Sequence, residues 1–268
     1  MINISNEVIC TEDGIIKAVC TGQYSKEVCL GITNRVFGVD WWSMEGETSS
    51  VSGLTENLKD TDLLLIISDF SDESELNSCF MLNQIAGELG VLVMVFALNC
   101  NTQHLNSNCT RVSQLATTAN IFIIEAELSI ELSNEGNELS SQADNLQWSM
   151  KALIELFTKA SFVGVDFADV KCAFNRKGLY QFYWASAYGH NATQVAHAHL
   201  SKLLQVESKE HKSVVVSVFC DLDYSLQDFH YISSEIGSTF SNDSYFVCAP
   251  IVNPQFSEKV VISACISA

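Results

Sequence analysis

Basic residues are scarce. Only 14 lysines and arginines stand against 32 aspartates and glutamates, for a net charge of −18. A surface of that sign repels nucleic acid and anionic lipid, and no basic cluster reverses it locally, so neither is an expected partner. Proline is rarer still, at Pro250 and Pro254 alone, while 47% of the chain is hydrophobic. That balance excludes a disordered chain and indicates a sizeable core, in one large domain or two moderate ones. No apolar run reaches the roughly 18 residues of a membrane span. Residues 63–67 and 91–98 read instead as buried strands. Residues 1–10 lack a basic region followed by an apolar one, so no signal peptide is expected and the location implied is cytoplasmic. Cysteine is present but unpatterned: ten are scattered and none forms a C-x-x-C pair. A zinc knuckle or thioredoxin-like site is therefore not indicated. Cys220 and Cys248 lie in apolar runs, where cysteine acts as a small buried hydrophobe, and reduced thiols fit a cytoplasmic protein.

What is present begins as an alternation. Strand signals at residues 15–20, 38–44, 62–68, 91–98 and 121–124 are interleaved with helical patterns at 26–35 and 76–89, the latter stopped by Gly90. This rhythm predicts a doubly wound, mostly parallel α/β sheet. Residues 102–111 and 125–145 are polar and poorly periodic, and read as loops or short helices. From 145 to 158 apolar residues recur at 146, 150, 153, 154 and 157, a 3.6-residue period that predicts a long central helix. Residues 180–187 are aromatic and apolar. After them the pattern reads helix at 192–204, strand at 214–219, helix at 226–236, and strands at 244–247 and 260–266. A boundary around 160–178 would set off a smaller α+β domain.

Several residues invite a functional reading, each beside a plainer one. Asp69, Asp72, Glu73 and Glu75 offer hard oxygen ligands for a cation. They lack the glycine and the full ligand count of a calcium loop, so a solvated acidic loop is expected and no metal site is assigned. His190, His197 and His199 do not share a helical face in a way that binds one ion, and are expected at the surface. Trp41 and Trp42 are adjacent, so a strand turns them to opposite faces and at least one enters the core.

Asp166-Phe167-Ala168-Asp169-Val170, just after the central helix, resembles the synergy loop of the FtsZ/tubulin family, which one subunit inserts into the next subunit's nucleotide site. Other segments fit in order. Ile16-Lys17 matches the opening of the family's first strand, and Gly38-Val39-Asp40-Trp41 its Gly-Val-Glu-Phe. Glu88-Leu89-Gly90-Val91-Leu92 matches its acidic-Leu-Gly-Ile-Leu, and Asp223-Tyr224-Ser225-Leu226 falls in the C-terminal domain. The resemblance implies a GTPase-like domain at 1–160, the synergy loop and linker at 161–178, and an FtsZ-type C-terminal domain at 179–268. It also implies that Asp166 and Asp169 would polarise the attacking water on a neighbour's nucleotide, in trans. The plainer reading is a turn whose aspartates cap the next helix. Gly164, where the family has Asn, weakens the catalytic version.

The departures concern the nucleotide. Phosphates are held by backbone N–H groups that glycine lets come close, at a helix N-terminus. The family's Gly-Gly-Gly-Thr-Gly-Thr-Gly falls on Ser71-Asp72-Glu73-Ser74-Glu75-Leu76-Asn77, with no glycine and with acids beside it. Two unit charges at 4 Å repel by about 4 kcal/mol at an effective dielectric near 20. The first glycine loop keeps only Gly22. Glu45-Gly46-Glu47 replaces Asn-Thr-Asp, and residues 48–61 leave no room for the family's next helix and third phosphate loop. Arg111 is what remains of the ribose-side loop. Ala126 stands where the base-side loop has Asn, and Asp144 stays as a possible base contact.

Together these imply an FtsZ-like protein with a degenerate nucleotide site: Gly22, Ser71, Ser74, Arg111 and Asp144. It is not expected to be an enzyme or to carry a cofactor. It would act by protein–protein contact as a filament partner, cap, modulator or scaffold, offering its synergy loop to an FtsZ-type subunit or to itself. The alternative is an active GTPase with an atypical, magnesium-dependent pocket. The family's disordered linker and membrane-anchor peptide have no counterpart up to Ala268, so no direct membrane binding is expected.

Overall fold

The structure is a computed structural model and describes residues 14–44, 51–100, 109–124, 129–133, 136–139, 141–159, 163–204 and 212–267. Its first half builds β1 (Ile16–Cys20), α1 (Gln23–Leu30), β2 (Asp40–Ser43), α2 (Val51–Leu58), β3 (Leu63–Asp69), α3 (Glu73–Glu88), β4 (Leu92–Leu98), α4 (Cys109–Ala116) and β5 (Asn120–Ile123). A hairpin, β6 (Ser129–Ser133) and β7 (Gly136–Leu139), precedes α5 (Gln142–Thr158) and the short α6 (Phe167–Ala173). The remainder is β8 (Gly178–Tyr188), α7 (Ala192–Leu204), β9 (Ser213–Cys220), α8 (Leu226–Gly237), β10 (Tyr245–Val252) and β11 (Lys259–Ser267).

The strands join into one sheet in the order β10-β9-β11-β8-β5-β4-β3-β1-β2, with β6 also paired to β8. Strands β1 to β5 are all parallel, and β8 is parallel to β5 but antiparallel to β11. Side chains alternate across the first half. Ile16, Ala18, Leu63, Leu65, Ile67, Met94 and Phe96 face the α1–α5 side, while Val19, Leu64, Ile66, Val93 and Val95 face α2, α3 and α4. Both faces are apolar, hence the continuous hydrophobic runs of β3 and β4. Trp41 and Trp42 pack on opposite faces, as adjacent strand residues must.

Helix α5 runs beneath both halves. Leu146, Met150, Leu153, Ile154 and Phe157 are all buried, each worth about 2 kcal/mol of burial. Because the helix is enclosed on nearly every side, its charges are paired: Lys151 Nζ lies 2.7 Å from Glu155 Oε1, and Lys159 Nζ lies 2.8 Å from Oε2. A third cluster packs α7 and α8 on the opposite face of β8, β9 and β11.

Three expectations need correction. Residues 48–61 do hold a helix: α2 makes two turns by burying Leu54 and Leu58 at i and i+4. Residues 129–133 and 136–139 are not helix or loop but paired strands, held through the backbone pairing of β6 with β8, which needs no apolar pattern of its own. Helix α3 starts at Glu73, not Leu76, because the Asp72 side chain accepts from Glu75 N and caps it. The Glu45-Gly46-Glu47 and Ala126 readings lie outside the described residues.

Candidate functional site

Strands β1 to β5 all point the same way, so the C-terminal ends of β1, β3, β4 and β5 lie along one sheet edge. From β1 the chain moves outward to β2, and from β3 it moves the other way to β4. The crevice between the C-terminal ends of β1 and β3 is thus the switch point, where open α/β sheets bind ligands. The N-termini of α1 and α3 meet there, approaching from opposite faces of the sheet.

A side chain fills this crevice. Glu75, in the first turn of α3, is only 5% exposed. Its Oε1 accepts from the backbone N–H of Tyr24 at 3.2 Å and, at a longer 3.5 Å, from that of Ser25. Its Oε2 accepts from Asp69 N at 2.9 Å and faces Thr21 Oγ1 at 3.1 Å. Thr21 has a single hydroxyl proton, shared between Glu75 and the Ile67 carbonyl 3.2 Å away. The carboxylate thus rests on the first amides of α1, where the helix dipole favours negative charge. Gly22 makes the approach possible. A Cβ there would sit 2.5 Å from Glu75 Cγ and 2.6 Å from Oε1. Its backbone is extended, so close contact and not a left-handed φ demands the glycine.

The neighbouring acids go elsewhere. Asp69 Oδ1 accepts from the Ser71 amide and hydroxyl at 2.8 and 2.7 Å. Asp72 caps α3, accepting from Glu75 N at 2.9 Å. Glu73 points to solvent, 3.7 Å from Arg111 Nη1. No group of three or more His, Cys, Asp or Glu among the described residues is placed to hold a metal ion.

Of the residues singled out in the sequence, Gly22 and Ser71 stand at the crevice, and Ser74 lies exposed in the first turn of α3. Arg111 reaches across to α3, donating to Asn77 Oδ1 and stacking 5.1 Å over the Phe80 ring. Asp144 caps its own helix: its carboxylate accepts from Ser141 Oγ at 2.6 Å and from Ser141 N at 3.1 Å. Its neighbour Gln142 accepts from the Tyr24 hydroxyl at 2.9 Å, so the start of α5 lies on the crevice side. Asp166 and Asp169 are at the other end of α5, whose 17 residues span about 25 Å. They form a capping box for α6, with Asp169 N donating to Asp166 at 2.8 Å and Asp166 N to Asp169 at 3.1 Å.

Thr21, Tyr24 and the inward role of Glu75 escaped the sequence reading. The one signal was the lone Gly22 in a β1–α1 turn. The histidines also differ from expectation. His190 is exposed, but His197 is buried on the inner face of α7, its ring nitrogens 3.0 Å from Ser201 Oγ and 3.2 Å from the Tyr231 hydroxyl.

No family model matches the chain. Cell division protein FtsZ 1 of Archaeoglobus fulgidus is 25% identical over 186 residues, covering 66% of this chain and 50% of that protein. Cell division protein FtsZ of Coxiella burnetii is 22% identical over 134 residues, 49% of this chain and 35% of that one. The chain thus spans half or less of the length of these curated relatives. Among solved structures, a point mutant of FtsZ from M. jannaschii superposes with a TM-score of 0.78 at 13% identity, covering 96% of this chain and 92% of that one. The empty FtsZ dimer of M. jannaschii gives 0.76 at 14%, covering 96% and 88%. TubZ from Bacillus thuringiensis serovar israelensis, in GDP-form protofilaments, gives 0.60 at 10%, covering 94% and 86%. With its parallel sheet, long central helix and crevice at the β1–β3 switch point, the chain has an FtsZ/tubulin-like fold and is a distant sequence relative of FtsZ proteins.

Proposed function

We propose that this protein acts in a cytoskeletal or cell-division process through protein–protein contacts, and neither binds GTP tightly nor hydrolyses it. The observation that carries the reading is the Glu75 carboxylate, seated in the crevice on amides a phosphate would need. A triphosphate does not fit these residues. It would meet Glu75 directly and Asp69 and Asp72 close by, and no glycine in the turn after β3 lets it approach the backbone. Like charges at 4 Å cost about 4 kcal/mol per pair at a dielectric near 20, which opposes a bound triphosphate. Calorimetric titration with magnesium and GTP tests this. No binding at micromolar concentrations is expected, and a micromolar or tighter Kd sinks the reading.

The partner side is the α5–α6 turn. Asp166 and Asp169 are exposed there, and the resemblance makes this the loop that enters a neighbouring FtsZ-type subunit. Two structural relatives, an FtsZ dimer and TubZ in protofilaments, self-associate, which supports contacts of the same kind here. On this reading the chain docks by one end. Reversing Asp166 and Asp169 to Lys abolishes binding to an FtsZ-type subunit, read by co-sedimentation, while Glu73→Lys leaves it intact. The opposite pattern would make the acidic face the binding surface. Glu73 is the acid to reverse on that face, because Asp72 and Glu75 hold the fold.

A further inference from the structure

We propose that Glu75 is a built-in anion closing an intact oxyanion cradle, so that removing its carboxylate leaves a site for a free oxyanion such as phosphate or acetate. The inference rests on the reading of the crevice given above and deepens it.

Four donors converge on this one carboxylate: the backbone N–H groups of Tyr24, Ser25 and Asp69 and the Thr21 hydroxyl. Three are fixed by the backbone of two separate elements, β3 and α1, and all are held whether or not Glu75 is present. The Thr21 amide donates to the Ile67 carbonyl at 3.0 Å, and Lys26 N to the Gly22 carbonyl at 3.1 Å, which sets the start of α1 independently of Glu75. Among the described residues, the side-chain acceptor of the Tyr24, Ser25 and Asp69 amides is Glu75. Buried donors left without an acceptor are costly, so an anion of the right size is drawn in. Gly22 borders the same space. It presents no side chain to the crevice, and the space a Cβ would need is taken by Glu75 itself. Once the carboxymethyl group of Glu75 is gone, that space and those donors face each other unobstructed. The group removed has the chemistry of acetate. Inorganic phosphate, with more oxygens for the same donors, is the second ligand of that class.

The experiment is thermal unfolding of the full chain, comparing Glu75→Ala with the unmodified protein and with Glu75→Gln, in chloride, acetate and inorganic phosphate at matched ionic strength. In chloride, Glu75→Ala should lose roughly 10 °C in Tm. Acetate or phosphate should restore at least half of that, saturably, while moving the unmodified protein and Glu75→Gln little, because in both the crevice is full. Equal stabilisation of all three proteins, or none of Glu75→Ala, overturns the proposal, as does a Glu75→Ala protein as stable as its parent. If Glu75→Ala does not fold in chloride, its refolding yield in phosphate or acetate is the readout, and no gain overturns the proposal. GTP titration of the unmodified protein reports on the proposed function alone. A failed rescue beside absent GTP binding removes only the cradle, and GTP binding beside a successful rescue removes only the function.

Discussion

Two turns of this protein carry the same local pattern and use it differently. Asp72 and Glu75 open α3, and Asp166 and Asp169 open α6, each an N-cap aspartate with an acid three residues on. At α6 the second acid folds back and accepts from the N-cap amide at 3.1 Å, closing a reciprocal box in solvent. At α3 the N-cap amide turns to the Asp69 carbonyl at 3.3 Å instead, and Glu75 leaves its own helix for the start of another. What separates them is the neighbour. Glycine at position 22 opens a path for Glu75 into the interior, whereas Asp169 stays exposed at the surface. An N3 carboxylate is therefore a local cap by default and becomes a long-range tie when a second helix offers amides across a glycine.

The largest expected effect breaks this contrast at Glu75. Glu75→Gln places an NH2 against N–H donors and removes a buried charge, and should cost about 3 kcal/mol. Asp169→Asn, the same chemical change in the exposed box, should cost well under 1 kcal/mol; equal losses in urea unfolding would show that the two acids do the same job. Next comes Gly22→Ala. Its Cβ must displace the Glu75 side chain, at a cost of about 2 kcal/mol. In a double-mutant cycle Glu75→Ala should relieve much of that, with a coupling of about 1 kcal/mol or more, and additivity would deny the contact. Asp166→Ala should cost about 1 kcal/mol, the ordinary worth of an N-cap, seen as a fall of a few degrees in Tm.

The smallest effect is one of pH, and it must be subtracted before acid titration can compare the two turns. Burial lowers the His197 pKa below the usual 6.5, against the opposing charge of Glu235. A depressed folded value means the unfolded chain takes up the proton first. The stabilisation from neutral His197 is therefore full above pH 6.5 and declines as pH falls below that. His197→Gln should flatten the stability profile just below pH 6.5, and an unchanged slope there would place its source elsewhere.

Much of the fold was legible because its signals are local. The apolar runs of β3 and β4 and the five-residue stripe of α5 each state their burial in their own periodicity. The hairpin β6–β7 was not, since β6 is held by pairing with β8 more than 40 residues further on and β7 by pairing with β6. Helix α2 was missed because two leucines in a polar stretch make a faint pattern. The crevice was legible in part. The absence of glycine from 71–77 marked the turn, yet Glu75 read as one solvated acid among four. Its burial depends on Gly22 and Tyr24, some 50 residues earlier, and no window along the chain contains both.

Gly22 also imposes an order on change. While Glu75 remains, any side chain at position 22 collides with it, so the glycine cannot drift. Glu75 is under no such constraint from Gly22 and can shorten or disappear while the glycine stays. A path toward a phosphate-binding crevice therefore opens at residue 75, and one away from it, filling the β1–α1 turn with a larger side chain, must pass through residue 75 as well. Residue 75 thus governs what position 22 can become, and not the reverse.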